Sequence, residues 1–129
     1  MARCALSQLT DHLKVLANPM RLRILALLRH GELCVCQIVS ILGIANSTVS
    51  EHLQTLRQAG FIVERRDGRW VHYSLVPEEG LQGLVDTMWP YLDAAGRVNE
   101  DYNALKGVRQ ESLEDTCAKT RSCRMTKKD

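Results

Sequence analysis

The chain has 129 residues, 45% of them hydrophobic, and a formal net charge of +2 at pH 7. That is about one domain of the usual roughly 100–150 residues, with enough apolar material to fill a core unaided. Without an apolar leader or any run near the roughly 18 apolar residues of a membrane span, it reads as a cytoplasmic protein with no membrane partner.

The small charge neither requires nor forbids nucleic acid, because the position of basic residues matters more than their sum. One Phe, three Tyr and two Trp leave the core to Leu, Ile, Val and Ala. Five cysteines, an odd number, argue against a closed disulfide framework and for metal binding or redox chemistry.

In chain order, Leu6, Leu9, Leu13 and Leu16 recur at helical spacing and predict an amphipathic first helix. Asn18-Pro19 supplies an N-cap followed by Pro at the first helical position, where its missing N–H costs nothing. The helix it opens, from Met20 to Arg29, carries Leu22, Ile24, Leu25, Leu27 and Leu28, and stops near His30-Gly31. A short third helix is expected from Cys34 to Leu42, ended by Gly43. Asn46 or Ala45 caps a fourth with Val49, Leu53 and Leu56 on one face, ended by Gly60. Short helix, glycine turn and capped second helix form the helix-turn-helix pattern.

Phe61 to Arg65 and Trp70 to Leu75 alternate and are rich in strand formers. Between them, Arg66-Asp67-Gly68-Arg69 predicts a hairpin with Asp-Gly in its turn. A basic hairpin behind a helix-turn-helix is a wing, so the fold class is mainly α with a β-hairpin: a winged helix-turn-helix. A long helix over about 78–105 follows, kinked at Pro90, with Leu81, Leu84, Val85, Met88, Leu92 and Ala95 on one face. Beyond Val108 the apolar period is lost. The expected division is therefore a DNA-binding and dimerisation domain over 1–110 and a flexible, cysteine-containing tail over 111–129.

Two sets of residues carry chemistry. On the fourth helix Asn46, Ser47, Thr48, Ser50, Glu51 and Gln54 offer short polar groups suited to base edges in a major groove. Arg57, Arg65, Arg66 and Arg69 are placed for phosphates. Glu51 would repel phosphate, so it accepts from a cytosine amino group or lies along the groove edge. His52 could touch a phosphate or serve as a half-buried orienting group. The plain alternative, a solvated helix face and a charged hairpin, fits either element alone but not their ordered succession.

The second set is thiols. Cys34 and Cys36 suit soft or borderline ions such as arsenic(III), antimony(III), cadmium, lead and zinc. Residues two apart do not face one another on an α-helix, so both reach one ion only if the helix starts later or its first turn opens. They could equally be two small buried hydrophobes. Cys4, Cys117 and Cys123 could complete a three- or four-sulfur site, Cys117 and Cys123 the more readily because they share the tail.

Over about Leu9 to Leu92 the chain resembles the ArsR/SmtB family of metal-responsive repressors, in its arsenic-sensing branch. The resemblance is carried by Leu16-Ala17-Asn18-Pro19-Met20-Arg21-Leu22-Arg23-Ile24-Leu25 and Glu32-Leu33-Cys34-Val35-Cys36. Ser50-Glu51-His52-Leu53-Gln54-Thr55-Leu56-Arg57-Gln58-Ala59-Gly60 and Gly68-Arg69-Trp70-Val71-His72-Tyr73-Ser74-Leu75 complete it. It implies a homodimer joined through the first and last helices, bound to near-palindromic operator DNA until an inducer releases it. It also makes Cys34 and Cys36 the metal-box thiols.

The chain departs from that pattern at Val39, where the closest arsenic sensors place a third cysteine. The third ligand is then sought at Cys117 or Cys123. Cys4 is the only N-terminal cysteine available for the four-sulfur site of cadmium and lead sensors. Asp86 and Asp93 stand on the last helix without the histidines of zinc and nickel sensors. The expectation is an arsenite- or antimonite-responsive repressor, not an enzyme, holding its inducer through Cys34, Cys36 and a tail cysteine. A cadmium-, lead- or oxidation-responsive repressor of the same fold is the alternative. A thiol-dependent enzyme is disfavoured, because no Cys-x-x-Cys accompanies a βαβ pattern.

Overall fold

In a computed structural model, residues 2–76 and 79–120 are described, with side chains over 6–76 and 83–120. Helix α1 spans Ala2–Leu16, and Asn18 then opens α2, Pro19–Leu28. The Asn18 Oδ1 accepts from the N–H groups of Met20 and Arg21 at 2.9 and 3.1 Å, satisfying two of the donors a helix start leaves unpaired. Ile24 to Leu28 are buried without a break, so α2 is the central rod of the core rather than an amphipathic surface helix.

A two-residue strand, β1 (Leu33–Cys34), precedes α3 (Val35–Leu42). Gly43 ends α3 in the left-handed region at φ 68°, and its N–H bonds to the Val39 carbonyl at 2.8 Å. Helix α4 (Asn46–Gln58) follows with Ala45 as its cap; Val49, Leu53 and Leu56 face inward and are fully buried. The wing is β2 (Ile62–Asp67) and β3 (Trp70–Leu75), with β1 on the outer side of β3. The register pairs Asp67 with Trp70, so the two-residue loop is Gly68-Arg69, one step later than an Asp-Gly turn. Gly68 supplies the positive φ of 64° that such a tight loop demands at its first position.

The long helix expected from 78 to 105 is instead three: α5 (Glu79–Asp86), α6 (Trp89–Asp93) and α7 (Gly96–Arg109). Pro90 lacks an N–H and fits only the first turn of α6, while extended Ala95 resets the chain before Gly96. The Trp89 indole donates to Asp86 at 2.8 Å across the first break. Arg23 on α2 and Asp101 on α7 form a buried two-pronged pair, both bonds 2.8 Å.

The stretch expected to be flexible is helical over Leu113–Thr120, here α8, and packs on α3. Ser112 Oγ accepts from the Asp115 N–H at 3.1 Å, Glu114 and Asp115 occupy the positive end of the helix, and Thr116 and Cys117 are buried. Glu111 holds both the Thr116 hydroxyl and Lys119. No described helix is long and apolar enough to cross a membrane.

Candidate nucleic-acid interface and thiol site

Burial of Val49, Leu53 and Leu56 turns the other side of α4 outward. Ser47, Thr48, Ser50, Glu51 and Gln54 are exposed there and Asn46 is half-exposed at the first turn. All six residues expected to meet base edges therefore lie outside the buried stripe of the helix. His52 does not join them. It is half-buried, and its Nδ1 accepts from Arg21 Nε at 3.2 Å, tying α4 to α2. Burial, and then the charge of Arg21, lower its pKa.

Three of the four arginines expected at phosphates are met by carboxylates instead of standing free. Arg65 forks onto Glu32 at 2.9 and 2.7 Å and holds that carboxyl below its usual range. Arg69 at the wing tip pairs with Glu114 of α8 at 3.1 Å. Arg57 Nε turns back toward Glu64 at 3.6 Å and is buried without a hydrogen bond. Arg66 is exposed and forms no ion pair among the described residues. Glu32 and Glu114 lie 33 and 45 residues from their arginines, which is why spacing alone did not reveal them. The Arg69–Glu114 pair is the most exposed of the three, and an ion pair so exposed is weak.

The conflict at Cys34 and Cys36 is resolved by a late helix start. Cys34 is extended (φ −94°, ψ 164°) and ends β1, while Cys36 lies in the first turn of α3. The Gln37 side chain accepts from the Cys34 N–H at 2.9 Å. Burial raises the Cys34 pKa, against the pull of backbone N–H groups of Gln37 and Cys36.

Cys34, Cys36 and Cys117 form one buried cluster at 2%, 2% and 3% exposure, walled by Trp70 of the wing and Leu113 of α8. Cys36 and Cys117 are disulfide-bonded and Cys34 is a free thiol. In that oxidised state no group of three or more His, Cys, Asp or Glu side chains among the described residues is arranged to hold a metal ion. Reduction would place three thiols in this one buried cluster. Val39, where the arsenic sensors carry a cysteine, packs in the main core. Cys123 and the side chain of Cys4 lie outside the described residues. Asp86 and Asp93 are engaged by Trp89 and Arg29.

Trp70, Leu113, Glu32 and Glu114 were not foreseen as parts of either site. A signal for α8 existed: Ser112 followed by an acidic turn, with Leu113, Thr116, Cys117 and Thr120 at helical spacing.

The bacterial regulatory protein arsR family matches residues 18–63. The arsenic resistance transcriptional regulator ArsR1 of Pseudomonas putida is 41% identical over 86 residues, covering 61% of this chain and 67% of that protein. The arsenical resistance operon repressor of Escherichia coli is 45% identical over 79 residues, covering 59% and 68%. Among solved structures, a homodimeric winged helix-turn-helix DNA-binding domain from Mycobacterium bovis, a possible ArsR-family regulator, superimposes with a TM-score of 0.63. It is 33% identical and covers 71% of this chain and 84% of that one. With the winged fold and these likenesses agreeing, the chain belongs to the ArsR/SmtB family of metal-responsive transcriptional repressors.

Proposed function

We propose that this repressor senses trivalent arsenic or antimony through Cys34, Cys36 and Cys117, and leaves its operator when they are occupied. The observation that carries the reading is the gathering of these three sulfurs in one apolar pocket. Arsenous acid and three thiols condense to a trithiolate with loss of three waters: As(OH)3 + 3 RSH → As(SR)3 + 3 H2O. The product is neutral and suits a pocket closed by Trp70 and Leu113. Cadmium(II) or lead(II) on the same thiols releases their protons and leaves a net anion, which burial penalises without a countercharge. The arsenical names of the two curated relatives support the same choice.

The exposed residues of α4 would then read base edges, with Arg57, Arg65, Arg66 and Arg69 supplying phosphate contacts. Capture of Cys34 at the start of α3 would act on the element that α4 packs against. Cys123 is a candidate only as an accessory ligand.

The test is an operator titration of reduced, metal-free protein with arsenite, and separately with cadmium, at two pH values. Arsenite should release DNA with little dependence on pH below the thiol range, and cadmium should act more strongly as pH rises. Cys34→Ser, Cys36→Ser and Cys117→Ser should each bind DNA normally and fail to respond. Release by cadmium but not arsenite would refute the assignment.

A second reading, response to oxidation, is favoured by the disulfide-bonded Cys36 and Cys117. Peroxide-driven release in metal-free protein, lost on Cys36→Ser, would favour it.

A further inference from the structure

Helix α8 touches two things at once. Its inner side delivers Cys117 and Leu113 to the sulfur cluster, and its outer side delivers Glu114 to Arg69 at the wing tip. The two are joined through Trp70, whose ring packs against the sulfurs and lies 4.6 Å from the Arg69 guanidinium stacked over it. An arginine in the wing loop is a phosphate ligand in waiting. Here its charge faces a carboxylate borne by the same eight-residue helix that carries the sulfur.

We propose that Glu114 competes with the operator backbone for Arg69, so that seating α8 on its sulfur site withdraws one phosphate contact from each wing. This rests on the reading of Cys117 as an inducer ligand, and extends it to how occupancy reaches DNA. When the sulfurs are joined, by inducer or by oxidation, α8 is pinned and Glu114 is held beside Arg69. When they are reduced and empty, α8 loses its covalent tie to α3 and keeps its packing on that helix and the Glu111 contacts, so phosphate displaces the carboxylate more easily. The pair is exposed, so the effect is graded. An exposed ion pair corresponds to about 1.5- to 5-fold in affinity per protomer, and one phosphate contact to about 0.9 in the slope of log affinity against log salt.

The experiment compares full-length wild type, Glu114→Gln and Asp115→Asn, each also in an Arg69→Gln background. The probe is a labelled duplex spanning the promoter upstream of the protein's own gene. Asp115→Asn makes the same charge change on the same helix, at a residue that forms no ion pair with Arg69. Affinity and salt slope are measured on oxidised metal-free protein, on reduced metal-free protein and on reduced protein with arsenite. Glu114→Gln should tighten binding of the oxidised form by the stated factor and steepen its slope. Asp115→Asn should do less, and Arg69→Gln should erase the difference. Equal effects of the two substitutions, or an effect of Glu114→Gln that survives Arg69→Gln, would overturn the proposal. With arsenite, Glu114→Gln should load as wild type does yet keep more DNA. A wild type that takes up no arsenite would sink the sensing assignment alone, and the oxidised form would still decide the role of Glu114.

Discussion

Arg23 and Asp101 are 12% and 5% exposed at their side chains, and each is nearly out of water with the other as its main counterion. Their hydrogen bond, and then their mutual attraction, raise the Arg23 pKa despite its burial. Removing one partner strands the other charge, which typically costs about 3–5 kcal/mol. Asp101→Ala should lower the denaturation midpoint accordingly. Arg23→Met with Asp101→Leu should recover much of the loss, because apolar side chains of similar volume leave no buried charge unpaired. Calorimetry of the three proteins would settle this. His52 and His30 both have pKa values lowered from 6.5, chiefly by burial. The folded state therefore binds fewer protons than the unfolded one. The stability they contribute is present above pH 6.5 and is lost as pH falls toward their folded values. Chemical denaturation from pH 7.5 to 5.5 should show that decline, and His52→Gln should flatten it.

At the scale of elements, α8 decides whether a third thiol exists. A protein ending at residue 110 should still bind DNA and should lose high-affinity arsenite uptake, as read by stoichiometry. A truncated protein that still takes up one arsenite per subunit would point to another donor. This helix was missed because apolar periodicity fades at Val108, and the few buried groups of α8 are a threonine and a cysteine rather than aliphatics. Strand β1 was missed for a simpler reason: two residues are too short to alternate. Helices α2, α3 and α4 and the wing were legible because each carries its own punctuation: Asn18-Pro19, Gly43, Gly60 and Gly68. The three-way break after β3 was half legible, since Pro90 announces an interruption but nothing in the Ala94-Ala95 pair marks a second one.

For the molecule as a whole, α1 leaves an unmet debt. Leu6, Leu9 and Leu13 are 75%, 45% and 49% exposed on one helix, a stripe that the described residues of one subunit leave uncovered. A second subunit packed on α1 would cover it, so Leu9→Glu with Leu13→Glu should yield monomers by light scattering and weaken operator binding by orders of magnitude. What was not legible at this scale was the meeting of distant parts. The polar face of α4 follows from local period alone. The convergence of Cys34, Cys36, Cys117 and Trp70, and the carboxylates on Arg65 and Arg69, depend on tertiary contacts that no spacing rule encodes. Cys117 was named among the candidates for chemical reasons, as a spare soft donor, while the helix that delivers it was not foreseen.

The three sulfurs are buried at 2–3% exposure, so on the proposed sensing role a metalloid that meets the same packing in the reduced form would reach them only after something moves aside. Loading would then be timed by how often α8 lifts, and its rate should level off with concentration in stopped-flow traces instead of climbing linearly. In such a regulator, response time and sensitivity are separate properties. Loosening the lid, for example by Thr116→Ala, should quicken the answer while leaving the three donors unaltered.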